Sequence, residues 1–290
     1  MPDTCCCMET AVGLAAAVLA IYRGDKANPN ATSSTSAPAA EASSSGSSRA
    51  PEPTAPTRPL EEVCESLKQQ LPSSPRVCIL GGTHFQDPDS ELIVKSLAKH
   101  FARNLASSVV VLTGGMSGVQ ETFARSMGVE MRRWGSARSR ELQAESPGSP
   151  SQCQTNVLNL LPEGQSSSYG VGRDLEAGTS VEERKRVFAT LGHIYVTIEG
   201  GPGVAEEASM AFNRGAVVLP IASTGGASSG MFDFPAGALA QPSFATQEQW
   251  DTLMNKGDAD DVALAVVQII WTLISKGGRV ATEVGVGLND

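Results

Sequence analysis

The sequence predicts a three-layer α/β domain built on a doubly wound parallel sheet, on two observations. From Leu60 onward, short β-branched apolar runs alternate with segments of helical periodicity, the pattern of a parallel sheet covered on both faces. Three of those runs also empty into glycine turns just before a helix. Arg76–Leu80 leads into Gly81-Gly82-Thr83, Val109–Leu112 into Thr113-Gly114-Gly115-Met116-Ser117-Gly118, and His193–Ile198 into Glu199-Gly200-Gly201-Pro202-Gly203. A doubly wound sheet sets such turns around the crevice at its strand C-termini. Any one of them alone is equally an ordinary tight connection; it is their recurrence that carries the fold class.

Taken in order, residues 1–26 contain an apolar run, Ala11–Tyr22, shorter than a bilayer span, and Asp3 and Glu9 precede it where a signal peptide carries basic residues. Three readings stand side by side. One is a processed leader addressing a plastid or other organelle. Another is an anchor acylated at Cys5, Cys6 and Cys7 that contacts a membrane, and the third is a short helix without function. Without a leader the chain is expected in the cytoplasm. Residues 27–59 are almost wholly Ala, Ser, Thr, Pro and Asn, with too few large apolar groups to offset ordering entropy, and read as a disordered linker.

The folded domain is therefore expected over 60–290. Leu60–Leu71 reads as an amphipathic helix ended by Pro72 and Pro75. After the first strand, Asp87 or Asp89 caps a helix to Leu105 with Leu92, Ile93, Leu97, Phe101 and Leu105 at apolar spacing. The helix after Gly118 carries Val119, Phe123 and Met127, and Met131–Gln154, without period, reads as a surface insertion. Asn156–Leu161 is a strand, and Gln165–Gly178 is a polar loop able to cover a ligand. Ser180 and Glu183 form a capping box ahead of a helix bearing Arg184, Lys185 and Arg186. Ala216–Ile221 is the last strand, Thr224–Gly230 a flexible Gly/Ser stretch, and helices near Gln247–Asn255 and Asp260–Ser275 close the fold.

A formal net charge of −9 argues against a broad nucleic-acid face, which needs basic residues to neutralise phosphates. The six cysteines show no metal-ligand spacing, Cys78 sits within a buried strand, and the three histidines are scattered, so no metal site is expected.

Helix N-termini and strand C-termini share one end of a parallel sheet, which puts Arg184 and Lys185 at the mouth of the crevice. Gly81, Gly82 and Thr83 then face Gly200 to Gly203, with Gly114 to Gly118 beside them. Amides unshielded by Cβ atoms, the dipole of a helix and a guanidinium fork suit a phosphate. An exposed helix start with i,i+4 ion pairs reads the same basic pair without a ligand. Glu206 and Glu207, expected in the first turn of the next helix, are either stabilised there by the dipole alone or aimed at a sugar. In the second case a carboxylate would stabilise oxocarbenium character, or activate water, as an N-glycosidic bond breaks.

Arg184-Lys185 followed by Glu199-Gly200-Gly201-Pro202-Gly203-Val204-Ala205-Glu206-Glu207 resembles the LONELY GUY (LOG), lysine-decarboxylase-like family of the SLOG Rossmann-like superfamily. That family's signature is an Arg-Lys pair and then PGGxGTxxE, and the interval from 184 to 200 agrees. Gly114-Gly115-Met116-Ser117-Gly118 is similar to its GGGxxGLMG segment. The likeness extends from about Arg76 to Ile221 and is specific at the glycine turns and the Arg-Lys helix. It implies a Rossmann-like fold, usually a homodimer, that hydrolyses cytokinin riboside 5′-monophosphates to free base and ribose 5-phosphate without metal or redox cofactor. Carried over by position, Arg184 and Glu207 would be the catalytic pair. Lys185, Gly200, Gly201, Gly203, Val204 and Glu206 would bind substrate, together with Gly81, Gly82, Thr83, Thr113, Gly114, Gly115 and Gly118.

Two positions depart from the signature: Glu199 replaces its proline and Val204 its threonine. Val204 lacks a hydroxyl donor for phosphate, and a carboxylate roughly 5 Å from a phosphate would destabilise it by about 1–3 kcal/mol at intermediate dielectric. Two readings follow: a nucleotide N-glycosidase, and a nucleotide-binding or sensing module without turnover. A dinucleotide oxidoreductase fits poorly, since no turn has the complete GxGxxG.

Overall fold

A computed structural model describes residues 59–142 and 156–284, with side chains to Trp134 in the first segment and to Lys276 in the second. The expected leader or anchor, with Cys5 to Cys7, nearly all of the linker, Cys153 and the second half of the 131–154 insertion lie outside the described residues.

Six strands form one sheet: β1 (Arg76–Gly81), β2 (Val110–Thr113), β3 (Val157–Leu161), β4 (Arg173–Glu176), β5 (Ile194–Ile198) and β6 (Val217–Ile221). All neighbours run parallel, in the order β4-β3-β2-β1-β5-β6. The chain builds outward from β1 on one side, then returns to its other flank with β5. The order thus reverses between β1 and β5, and Gly81 pairs in register with Ile198, so the two following turns emerge level with each other.

Side chains alternate across the sheet with period two. Val77 and Ile79 join a core shared with α2 (Pro88–Asn104), α3 (Val119–Leu142), α6 (Gln247–Met254) and α7 (Ala259–Val284). Cys78 and Leu80 face the other core, closed by α1 (Leu60–Gln70), α4 (Val181–Leu191) and α5 (Pro202–Asn213). Burial on both faces is why the strands read as unbroken apolar runs. Local signals set the helix starts: Asp87 caps α2 by accepting from the Asp89 amide, with Pro88 at the first helical position. His193 is structural, its Nδ1 accepting the Arg76 amide at 3.0 Å, and burial pushes its pKa down to about 3, which keeps it neutral.

Several expectations are corrected. β4 lies within the segment read as a loop, because only Leu175 of its four residues is buried and the alternation is too short to register. α3 continues to Leu142 through the stretch read as an insertion, a polar helix supported by Glu121–Arg125 and Glu130–Arg133 pairs and by Arg103 stacked on Trp134. Leu92 points outward at 55% exposure; the buried stripe of α2 runs through Ile93, Val94, Leu97 and Phe101. The 224–230 stretch is a pair of short 3₁₀ turns rather than a flexible loop, with Thr224, Ala227 and Ser228 buried. At the sheet edges, β4 carries Arg173, Asp174 and Glu176, and β6 contains Pro220.

Candidate functional site

The chain leaves β5 through two residues in the left-handed region, Glu199 (φ 50°) and Gly200 (φ 97°), and Gly201 and Pro202 then open α5. A Cβ on Gly200 would lie 2.6 Å from the Val204 Cβ, so Val204 fills the underside of the turn and holds it from below. The 222–230 segment clamps it from above, with the Ala227 amide donating to the Gly200 carbonyl at 2.8 Å and the Ser228 hydroxyl to the Glu199 carbonyl at 2.9 Å. The amides of Gly200, Gly201 and Gly203 have no acceptor among the described residues. They are the orphan donors of a helix start.

Glu199 does not stand as a free charge. Its side chain is buried, and its two carboxylate oxygens accept the amides of Gln86 and Asp87 at 2.9 and 3.0 Å. The repulsion expected between Glu199 and a phosphate is therefore reduced by two donors already fixed on the carboxylate. Its role is to tie the 82–87 loop after β1 to the turn after β5. Glu199→Ala should leave both amides without that acceptor and lower stability by about 2 kcal/mol, with Glu199→Gln losing less, as read from urea unfolding midpoints.

The turn after β2 has its own internal partners. Gln120 Oε1 accepts the Gly114 and Met116 amides at 2.8 and 3.3 Å, Thr113 Oγ1 accepts the Gly115 amide at 3.3 Å, and the Tyr169 hydroxyl donates to the Met116 carbonyl. Thr113 in turn donates to Asn159, which donates to Asp174 at 2.8 Å. Tyr169 is buried, so the 165–178 segment closes on this turn. The glycines here are demanded by close approach: a Cβ would sit 2.5 Å from Val119 at Gly81, 2.5 Å from the Arg184 guanidinium at Gly114 and 2.2 Å from Leu161 at Gly115.

Arg184 and Glu207 meet in the interior. Nη1 of Arg184 donates to Glu207 Oε1 at 2.8 Å, and both side chains are buried. Burial pushes the Glu207 carboxyl up to about 7, the nearby Arg184 and Lys185 charges offsetting only part of that cost. The Nε of Arg184 is buried and has no partner among the described residues. Lys185 is more exposed and pairs with Glu206 at 2.9 Å and Glu182 at 3.3 Å. Glu206 and Glu207 lie in the second turn of α5, not the first, because the helix begins at Pro202. The dipole account of their placement loses force there. The capping box ahead of α4 is half formed: Ser180 Oγ accepts the Glu183 amide, while the Glu183 carboxylate turns to the amide and hydroxyl of Thr179.

A cleft of about 360 Å³ opens at the point where strand order reverses, with Gly82, Thr83, Glu199, Gly200, Gly201 and Phe232 among its lining residues. Arg184 and Glu207 do not line it. The residues singled out in the sequence thus divide into a turn facing the cleft and a buried ion pair beneath the neighbouring wall. Met231 and Phe232, also on the cleft, had no periodic or motif signal to mark them.

No family model and no curated protein matches the sequence. Among solved structures, the chain is similar to the structural-genomics protein TM1055 at 19% identity, covering 67% of this chain and 99% of that one with a TM-score of 0.43. It is similar to the Moco carrier protein of Chlamydomonas reinhardtii at 16% identity, 68% and 98% coverage and a TM-score of 0.40. The molybdenum cofactor binding protein of Rippkaea orientalis gives 18%, 50% and 75%, and 0.35. The six-stranded parallel sheet with helices on both faces is the Rossmann-like architecture expected from the sequence.

Proposed function

We propose that the chain is an N-glycosidase acting on nucleoside 5′-monophosphates, releasing free base and ribose 5-phosphate. The observation that carries this reading is the Arg184–Glu207 pair: a buried carboxyl raised to about 7 against a buried guanidinium that keeps one donor unused. Buried ion pairs contribute little net stability, and an orphaned buried donor costs more still. Such a pair suggests chemistry, and a carboxyl poised near neutrality suits acid–base work.

In this mechanism the amides of Gly200, Gly201 and Gly203 hold the phosphate at the start of α5, helped by the helix dipole and by Lys185. Glu207 lies one helical turn beyond Gly203, about 6 Å along the axis. Its carboxylate stabilises positive charge at the anomeric carbon and takes a proton from the attacking water. The bond from that carbon to the base nitrogen breaks, the water oxygen becomes the new hydroxyl of the sugar, and the base leaves with the proton that Glu207 took from the water. Arg184 orients Glu207 through the hydrogen bond from its Nη1. Gly82 and Thr83 form the facing wall, and Gly114, where a Cβ would meet Arg184, leaves room for the guanidinium.

A second reading, a nucleotide-binding or sensing module without turnover, is favoured by one observation: the ion pair does not line the cleft. Val204, apolar and packed against Gly200, also offers no donor to a phosphate. The test is release of free base from a panel of nucleoside monophosphates, including N6-substituted adenosine monophosphates, by the wild type and by Glu207→Ala. Release that disappears in the variant supports the glycosidase. Thermal stabilisation by the same nucleotides without any release supports the binding module.

A further inference from the structure

We propose that Met231 and Phe232 form a ring-binding clamp over the cleft, selecting phosphorylated ligands that carry a planar aromatic base. Residues 231–234 make a tight turn closed by the Phe234 amide donating to the Met231 carbonyl at 3.3 Å. Its two central residues, Phe232 (φ 61°) and Asp233 (φ 58°), both lie in the left-handed region. That backbone is of the type I′ kind, which Asn and Gly adopt readily and which is an outlier for a bulky aromatic. Strained backbone of this sort persists where its surroundings enforce it, and it collects at ligand clamps.

The surroundings here do enforce it. Phe234 is buried in the core beside Ala227 and Ala238, and the Ser209 hydroxyl on α5 donates to the Asp233 carbonyl at 3.3 Å. Phe232 and Met231 are nevertheless 46% and 52% exposed, so an anchored turn holds two large apolar side chains out of the core. They line the same cleft as Gly200 and Gly201, whose amides lack acceptors. One wall therefore offers donors for an anion, and the rim offers an aromatic face and a polarisable thioether. Those are the contacts a base takes by stacking, and they tolerate any base because each has a π-face.

This inference rests on the phosphate position proposed above and not on hydrolysis. The test is isothermal titration of the full chain with adenosine 5′-monophosphate and with ribose 5-phosphate, for wild type and Phe232→Asn. Asparagine suits the left-handed backbone, so the turn is kept while the ring is removed, and the melting temperature should hold or rise. The expected result is that wild type binds the nucleotide at least ten-fold more tightly than ribose 5-phosphate. Phe232→Asn should cut nucleotide affinity about ten-fold and leave ribose 5-phosphate unchanged, with Met231→Ala adding to the loss. Equal wild-type affinity for the two ligands, nucleotide affinity unchanged in Phe232→Asn, or a parallel fall for both ligands would each overturn the clamp. If neither ligand binds wild type, the phosphate position falls with it. Base release with an unchanged KM in Phe232→Asn would remove the clamp and leave the glycosidase standing.

Discussion

Glu207→Ala is expected to abolish base release while the domain still folds. General acid–base groups contribute roughly 10²–10⁴ in rate, so the loss should exceed about 100-fold. The alanine also leaves Arg184 buried without its partner, at about 3–5 kcal/mol, so the variant should melt well below wild type. Glu207→Gln separates the two effects, since its side-chain carbonyl still accepts from Arg184 Nη1: activity should be lost and the fold largely retained. The pH dependence then identifies the titrating group. The folded-state pKa of Glu207 is raised to about 7 from an ordinary 4.5, so between those values the unfolded chain has released a proton that the folded chain still holds. Wild-type stability should thus fall as pH rises through that window, by up to about 3 kcal/mol, while Glu207→Gln lacks that component. Below pH 4.5 the two should show no difference from this source. Melting curves at pH 4, 5.5 and 7.5 would show the gap opening; a constant gap would mean that folding leaves the Glu207 pKa unshifted.

Gly118→Ala should produce the largest stability loss among single-methyl additions at the glycine turns. An added Cβ would sit 2.4 Å from the Gly82 carbonyl oxygen and 2.5 Å from the Thr83 carbonyl carbon, and the residue has φ +74°. Backbone cannot move aside as a flexible side chain can. Overpacking and left-handed strain together should cost about 3 kcal/mol, a large part of the 5–15 kcal/mol that holds a typical domain. Gly201→Ala is the contrast: nothing lies within 4 Å of its added Cβ and its φ is −111°, so stability should hardly change. Chemical denaturation of both variants gives the comparison directly. Because Gly201 faces the cleft, the same methyl should weaken phosphate-ligand binding, which separates glycines kept for packing from those kept for access.

Much of the fold was legible because the five strands buried on both sides are written as short, largely apolar runs. β4 was not, since a four-residue strand with a single buried leucine leaves no pattern longer than chance. The second half of α3 was missed for the opposite reason: its exposed Arg, Ser and Gly positions carry no apolar stripe, and its support comes from ion pairs and from Arg103 on a different helix. At the site, the glycine turns announced themselves, while the partnership of Arg184 with Glu207 spans 23 residues and rested on resemblance alone. Glu199 was legible as a departure but not as a tether, because its acceptors' donors belong to a loop 112 residues earlier. Phe232 had no local signal at all: its meaning lies in a backbone angle that residue type argues against.

The two edges of the sheet are finished differently, and together they limit how copies of this chain can associate. β4 presents charged side chains at three of its four positions, and β6 interrupts its row of donors with Pro220. Both features discourage a neighbour's backbone from lengthening the sheet. Strand pairing between copies is thereby disfavoured at both edges of the described sheet.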